Sequence, residues 1–517
     1  MGVQQTNIFE FLYEQFKPKK IRLYQFFAGI GIQAKALKNL GVEFEDYKIA
    51  EWAVPSIKAY NYIHTKDFTD YSKGKSRDEL IQVVKNVSLD YDKPITEKQL
   101  NSKSDEWVRE VYNHIIATHN LVNIMEVHGK DLEIDTNYTN IIFYSFPCQD
   151  LSKAGLRQGL KTSQKEGGTR SGLLWEIERI INELTDEQRA SCVLICENVP
   201  DLVEVNFVKD FSKWVSALEN LGYTSYDQIL NAKDYGIPQN RKRVFMVSLP
   251  GQFSYTFPRK IALKYRLKDF LEEQVDEKYF LSQRTIDFFI ANTEKQKLNG
   301  NGFTFDPMNE DDTERIGKTI TTRAGSRMDD NFVMKNKQLG ETLEDKEIED
   351  ADFIDTYNRA VKKGIAGTIT TRTDASNNTF ITEDKIPIKN NNSQGFALAE
   401  EGDGIDISGR MEFHRGTVQK GCSQTINTMG GADVGVVQKM RIRKLTPCEC
   451  LKLMGFDEED YKAMRKAGLS DSQIYHCAGD SIVVSVLMGI FGTLLGVEDY
   501  EQRINELTDR LATKRKV

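Results

Sequence analysis

Two hydrophobic periods take turns along the first half of the chain. Short apolar runs of strand type alternate with stretches whose apolar residues recur every three or four positions, the spacing of a helix face. Residues 21–27 (IRLYQFF) predict a strand, followed by Gly29 and Gly31. A helix then places Ile32, Ala36, Leu37 and Leu40 on one face and ends at Gly41 as a C-terminal cap. A second strand reaches Ala50 and Glu51, and a third spans about 141–146. After a Gly-, Ser- and Lys-rich loop (149–170), Leu173, Leu174, Ile177, Ile180, Ile181 and Leu184 share one helix face. The strand 193–196 and the helix 207–221, closed by Gly222, continue the alternation. Strands separated by helices predict an α/β fold, a Rossmann-like, doubly wound, mostly parallel sheet.

Two regions break this rhythm. Residues 66–120 form a charged, mostly helical insert without evident chemistry, read as a surface elaboration. From 252 the chain turns Thr-, Asn-, Gly- and Asp-rich, and three related segments appear: Thr319–Arg323, Thr368–Arg372 and Thr425–Met429. Each is followed by a polar stretch and an apolar pair (Phe332-Val333, Phe380-Ile381, Val436-Val437), a pattern that predicts β-hairpins. Their irregular spacing excludes a stacked solenoid. The expected organisation is residues 1–251 as the first domain, 252–438 as a smaller β-rich domain, and 439–517 as a segment returning to the first.

At 517 residues, 39% hydrophobic and 28% charged, the chain has the profile of a globular protein with more than one core. No apolar run looks long enough to cross a bilayer, and Met1–Lys20 lacks the features of a secretory signal, so a cytoplasmic protein without membrane association is expected. The seven cysteines (148, 192, 196, 422, 448, 450 and 477) contain no Cys-x-x-Cys, and Cys448-x-Cys450 has no second pair, so reduced thiols and no metal site are expected. A net charge of −8 argues against a protein that coats nucleic acid indiscriminately. A local basic cleft around Arg241, Lys242 and Arg243 stays compatible with it.

The chemistry-bearing positions fall at strand ends. Gly29-x-Gly31-x-x-Ala34 between a strand and a helix fits the turn that brings an adenine-containing cofactor against the backbone, and Glu51, 20 residues after Gly31, stands where an acid would bond ribose hydroxyls. By itself this pattern serves NAD and S-adenosylmethionine equally, or only tight packing; Trp52 beside the acid could stack on adenine. Cys148, in Ser145-Phe146-Pro147-Cys148-Gln149, sits where the third strand ends, a position for a nucleophile or for a small buried residue. Cys196-Glu197-Asn198-Val199 ends the next strand with a carboxylate that is costly to bury unpaired. In Gln239-Asn240-Arg241-Lys242-Arg243 the alternation sends Arg241 and Arg243 to one side.

Taken in order, FFAGIG (26–31), EW (51–52), FPCQ (146–149), ENV (197–199), QNRKR (239–243), RKLTPCECLKLMGF (443–456) and AGDSIVV (478–484) resemble the DNA (cytosine-5) methyltransferase family, of the bacterial or phage restriction-modification type. The resemblance spans the chain except 66–120 and about 252–438. It implies the S-adenosylmethionine-dependent methyltransferase fold with a target-recognition domain at 252–438. It implies methyl transfer to carbon 5 of a flipped-out cytosine in a specific double-stranded DNA sequence, with S-adenosyl-L-homocysteine as product. Cys148 would attack the ring and Glu197 would assist at ring nitrogen 3, with Arg241 and Arg243 orienting the base and Asn198 and Pro147 bracing the site. Cofactor contacts would come from Phe26, Ala28, Gly29, Ile30, Gly31, Glu51, Trp52, Asp131, Leu132, Leu173, Asp480 and Ser481. DNA contacts would come from Gln149, Ser152 and Gln239, with Arg323 and Arg372 as candidate base or phosphate contacts; the Thr-Ile pairs beside them serve equally well as sheet framework. The loop 149–170, with Gly155, Gly159, Gly167 and Gly168, would close over DNA. The expected state is a monomer, and a restriction endonuclease acting on the same site is a possible partner. Two positions depart from the family: Asp480 stands where Asn is usual, and Cys448 where Arg is usual. A tRNA methyltransferase would share the chemistry but is usually more compact; an NAD enzyme would leave Cys148, Glu197 and the arginines unexplained.

Overall fold

The computed structural model describes residues 20–147, 170–204, 207–298, 303–310, 312–335 and 441–512, and between 335 and 441 only short strands. By internal contacts the chain forms two compact units, Met1–Val333 with Arg443–Val517, and Met334–Ile442.

The larger unit is built on a six-stranded sheet. In chain order come β1 (Ile21–Phe26), α1 (Ile32–Asn39), β2 (Phe44–Ala50), α2 (Val54–Tyr60), α3 (Arg77–Val84), α4 (Asp105–Ala117), β3 (Thr139–Tyr144), α5 (Leu174–Asn182), β4 (Cys192–Asn198), α6 (Val208–Asn220), β5 (Tyr223–Asn231) and β6 (Lys242–Pro250). The spatial order is β2-β1-β3-β4-β6-β5. β1 pairs in parallel with β2 and β3, and β3 with β4, while β6 runs antiparallel between β4 and β5. This is the expected α/β, mostly parallel, doubly wound sheet.

Successive residues of each strand serve opposite faces, which is why these strands read as nearly continuous apolar runs. Leu23, Ile141, Phe143, Val193, Ile195 and Val247 join one buried cluster with Ile32, Ala36, Leu37 and Leu40 of α1. Tyr24, Phe26, Ile142, Tyr144, Leu194, Cys196 and Met246 join another with Leu174, Ile177 and Ile180 of α5 and Trp214 and Leu218 of α6.

The C-terminal segment supplies α7 (Asp471–Asp480), α8 (Val484–Leu495) and α9 (Tyr500–Leu511); α8 packs on α1 and completes the first cluster. The stretch Asp471–Leu495 has the length and apolar composition of a membrane span, which the pattern of the sequence did not suggest. Of its most apolar 18-residue window 83% is buried inside the protein, and the helix breaks between Asp480 and Val484, so these are core helices. Ahead of them Arg443 and Glu449 form a fully buried bidentate pair with both N–O distances at 2.8 Å.

The compact unit does not close at 252. Tyr255, Leu267, Phe270, Met308, Ile320 and Val333 belong to the first cluster, so 252–333 is part of the larger unit. The compositional shift at 252 marks polar surface, and sparse apolar positions do the anchoring. The first expected hairpin is also absent. Gly317–Lys318 pairs in parallel with Gln239–Asn240. Phe332–Lys335 lies in a separate three-stranded sheet, between Arg441–Lys444 and Met308–Asn309. Ile320 instead satisfies its backbone on side chains: its N–H donates to Gln239 Oε1 (3.1 Å), and its carbonyl accepts from Arg241 Nη1 (2.9 Å).

The smaller unit is β-rich. Asp352–Asp355 pairs antiparallel with Ala360–Lys363 and Thr379–Ile381; Ile386–Lys389 pairs with Phe396–Ala399; Gly404–Asp406 pairs with Val418–Gln419 and Val434–Val436. Phe380-Ile381 and Val436 therefore lie in strands, while Thr368–Arg372, Thr425–Met429 and Val437 fall outside the described residues.

Candidate active site

The order β2-β1-β3-β4 reverses direction beside β1, and open α/β sheets hold ligands at the carboxyl edge of such a switch point. A cavity of about 250 Å³ lies there in the larger unit, reached by residues that follow β1, β2, β3 and β4. Gly29, Glu51 and Trp52 line it beside Ser145, Pro147, Glu197 and Arg243, and the C-terminal segment adds His476, Asp480 and Ser481.

At the β1–β2 end the turn is left-handed at Phe27 (φ 57°), Gly29 (φ 55°) and Gly31 (φ 77°). The two glycines do different work. A Cβ on Gly31 would lie 2.5 Å from His64 Nε2 and 2.7 Å from Tyr60, so Gly31 is required by packing. A Cβ on Gly29 would meet nothing nearer than Ile32 at 4.0 Å, which leaves room for a ligand against the backbone. Gly29 N–H donates to Glu51 Oε2 (2.8 Å) and Ala53 N–H to Glu51 Oε1 (2.7 Å). Burial pushes the Glu51 carboxyl up to about 7 against those amides, and Asp480 adds repulsion. Asn120 clamps the Glu51 backbone, accepting from its N–H (3.0 Å) and donating to its carbonyl (2.9 Å). A glycine gap, a strand-end acid and Trp52 suit a nucleoside-bearing ligand.

At the β3–β4 end the register sets Tyr144 opposite Cys196, which brings Ser145 level with Glu197. Ser145 Oγ donates to Glu197 Oε2 (2.6 Å), and Arg243 Nε lies 3.1 Å from Glu197 Oε1. β4–β6 pairing places Asn198 against Val244, so Arg243 falls just beyond the last pair and beside the acid. Asn198 Nδ2 donates to the Phe146 carbonyl (3.0 Å), holding the loop that carries Pro147 into the cavity wall.

Of the residues nominated for a cofactor, Gly29, Glu51, Trp52, Leu173, Asp480 and Ser481 line the cavity. Phe26, Ala28 and Ile30 are core residues, and Phe27, turned out of the sheet at positive φ, lines the cavity in place of Phe26. Asp131 and Leu132 also lie elsewhere. The Asp131 carboxylate accepts from His128 N–H (2.8 Å) to cap a short helical turn, and Leu132 is buried in the second core cluster. Asn123, Ile124 and Met125 occupy the cavity wall instead.

Gln239 is fully buried and donates to the Leu453 carbonyl (2.8 Å), so it braces the chain. Arg241 is buried as well, donating to the carbonyls of Ile320 (2.9 Å), Gly479 (2.8 Å) and Ser481 (2.7 Å). It lines the cavity beside Arg243 and ties the C-terminal segment to it. Gly479 is obligatory there, since a Cβ would lie 2.2 Å from Thr322 N. Thr319–Thr322 is thus framework, and Arg323 next to it is exposed. Cys148, Gln149, Ser152 and Arg372 lie outside the described residues. Burial pushes the thiols of Cys192, Cys448 and Cys477 up to about 12, so none of these is a thiolate at neutral pH, including Cys477 on the cavity wall. Cys448 is a buried packing residue beside Glu272.

The sequence profile of the C-5 cytosine-specific DNA methylases matches residues 76–496. The orphan methyltransferase M.SssI of Spiroplasma monobiae is 34% identical over 60% of this chain and 82% of its own length. The type II methyltransferase M2.ScrFI of Lactococcus lactis subsp. cremoris is 35% identical over 52% of this chain and 71% of its own. The orphan methyltransferase M.SPRI of Bacillus phage SPR is 26% identical and covers 92% of this chain and 98% of its own. Among solved structures, the S. pombe Dnmt2 methyltransferase superposes with a TM-score of 0.50 at 14% identity, covering 92% of this chain and 99% of that one, a likeness of fold. The chain belongs to the C-5 cytosine-specific DNA methylase family.

Proposed function

We propose that the protein transfers a methyl group from S-adenosylmethionine to carbon 5 of a cytosine flipped out of a specific duplex DNA sequence. The observation that carries this reading is that one cavity holds both the Gly29–Glu51–Trp52 wall and the Ser145–Glu197–Arg243 cluster, so a donor and a base could meet there.

Carbon 5 of cytosine is a weak nucleophile, and the chain's own groups must raise its reactivity. Cys148 follows Pro147 of the cavity wall, and its thiolate forms a bond to carbon 6. Glu197, fixed by Ser145 and Arg243, hydrogen-bonds or protonates ring nitrogen 3, so the electron pair displaced by sulfur is held in the ring and concentrates at carbon 5. Gly29, Glu51, Trp52, Asn123 and Asp480 would hold S-adenosylmethionine, which when bound supplies an electrophilic methyl on sulfur to carbon 5. Loss of the carbon-5 proton to a base then restores the double bond and expels Cys148. Stacking inside a duplex hides both ring faces, hence the flipping, at a cost of a few kcal/mol. Arg323 and Arg372, with the β-rich unit, read the DNA sequence around the target.

Bisulfite sequencing of plasmid from cells expressing the chain tests this directly. The expected result is protected cytosines in one sequence context with the natural chain and none with Cys148→Ser. Undiminished methylation by Cys148→Ser overturns the reading.

A further inference from the structure

The insert at 66–120 carries more than surface. Its helices α3 and α4 have a core of their own, in which Leu80, Val84, Val108, Val111 and Ile115 pack with Val54 and Ile57. An elaboration needs nothing else. Yet the insert is also stitched to the strand end that bears Glu51. Ser88 N–H donates to the Trp52 carbonyl (2.7 Å), and Val54 N–H donates to the Ser88 carbonyl (2.9 Å). Asn120, at the far end, is the Glu51 clamp.

From Ser88 the chain makes a tight excursion and returns at Ile95, whose N–H donates to the Val87 carbonyl (2.7 Å). Asp90 organises the tip: its Oδ1 accepts from the N–H groups of Asp92 (3.0 Å) and Lys93 (3.1 Å), an Asx-type turn. That turn leaves Tyr91 at φ 67°, a conformation an aromatic residue rarely adopts. The Tyr91 ring lies flat on His476, with centroids 3.6 Å apart and planes at 12°, and its hydroxyl is 3.6 Å from Cys477 Sγ. Tyr91, Asp92, His476 and Cys477 all line the cavity. The hydroxyl is within electrostatic reach of Glu51 and Asp480, which places the loop beside the Glu51 end.

We propose that the loop 89–93 is part of the methyl-donor site and that Tyr91 is a binding residue for S-adenosylmethionine. This rests on the reading given above. Strain at a non-glycine residue persists where surrounding structure over-determines it, and it concentrates at ligand sites. Here the stacked pair supplies a flat, stiff wall, apolar enough for an adenosyl group, whose ring face also attracts the sulfonium cation. The insert thereby joins the donor site to α7 through one side chain.

The test uses full-length protein with Tyr91→Ala, Tyr91→Phe, and Lys85→Ala as an exposed control on the insert. The probes are S-adenosylhomocysteine by calorimetry and KM for S-adenosylmethionine and for duplex DNA in turnover. Tyr91→Ala is expected to raise the S-adenosylhomocysteine Kd and the donor KM about tenfold. Its kcat and DNA KM should stay near those of the natural chain, and its ligand-free Tm should fall by a few degrees at most, for the lost ring contacts with His476. Tyr91→Phe, which keeps the stack, is expected to restore most of the donor affinity, and Lys85→Ala to change nothing. An unchanged donor KM in Tyr91→Ala overturns the inference. So does an equal loss of donor binding, DNA binding and Tm, the mark of a merely structural role. If the natural chain binds no donor and methylates no DNA, the proposed function itself falls, a different result from either.

Discussion

Glu51 and Glu197 occupy equivalent places in the sheet, each where a parallel strand meets the cavity, and each is nearly buried at 9% and 5% exposure. Both are nearly buried, and what sets them apart is the partners each one meets. Glu51 is held by two neutral amides, with the like charge of Asp480 nearby, and its carboxyl is pushed up to about 7. Glu197 is held by a hydroxyl and by the Arg243 guanidinium. One end of the cavity therefore has its counter-charge built in. Among the described residues, the other holds its acid on neutral backbone amides with no ion-pair partner. Two identical side chains, at equivalent strand ends, are tuned to different tasks by residues distant in sequence.

The sharpest way to break the comparison is to make each acid an amide. Glu197→Gln loses the ion pair with Arg243 and the proton-donating capacity, and methyl transfer in a single turnover should fall about 10³-fold. Donor affinity should hold, because Glu51 is untouched; an equal fall in both would mean the two ends do not act separately. Glu51→Gln probes the opposite side through stability. A folded-state carboxyl raised to about 7 from its ordinary 4.5 favours the protonated form in the native protein. Its contribution to stability is complete below the unfolded value and lost as pH rises through about 7. The loss is on the order of 3 kcal/mol. Urea unfolding of ligand-free protein between pH 5 and 8 should show this slope, and Glu51→Gln should remove that part of it. Identical slopes in the two proteins would remove the contrast drawn between the acids.

Much of this site could be read along the chain, for reasons visible in particular residues. The sheet was legible because its strands are buried on both faces and so appear as unbroken apolar runs such as Ile141–Tyr144 and Cys192–Cys196. Glu51 and Glu197 were legible as acids that end such runs. Side-chain direction past a strand end was not. Phe26 and Phe27 are adjacent and identical, and only the positive φ of Phe27 decides which reaches the cavity. The insert hid Asn123 as well: it stretches the distance from Glu51, so the resemblance pointed to Asp131, while Asn123 lines the cavity. The packing of Gln239 and Arg241 was not legible: Arg241, itself on the cavity wall, meets carbonyls 79, 238 and 240 residues away, a reach no local pattern encodes. Tyr91 had no signal at all, since stacking on His476 exists only after the insert and α7 are brought together.

Asp480→Asn gives the smallest and most discriminating effect, because it exchanges a carboxylate for an amide of the same shape and alters only one charge. Asp480 sits on the cavity wall, with a carboxylate oxygen 3.1 Å from His476 Nδ1, and is itself largely exposed. Its repulsion of Glu51 ranks behind burial and behind the two amide bonds, so removing it should lower the Glu51 midpoint only slightly. The readout is the pH at which S-adenosylhomocysteine affinity is half-maximal, compared between the natural chain and the variant. A downward shift with unchanged maximal affinity is expected. A shift of a full unit or more would make Asp480, and not burial, the chief cause of the raised Glu51 carboxyl. The difference between the two glutamates would then originate in the C-terminal segment, and no longer in the dryness of the strand end.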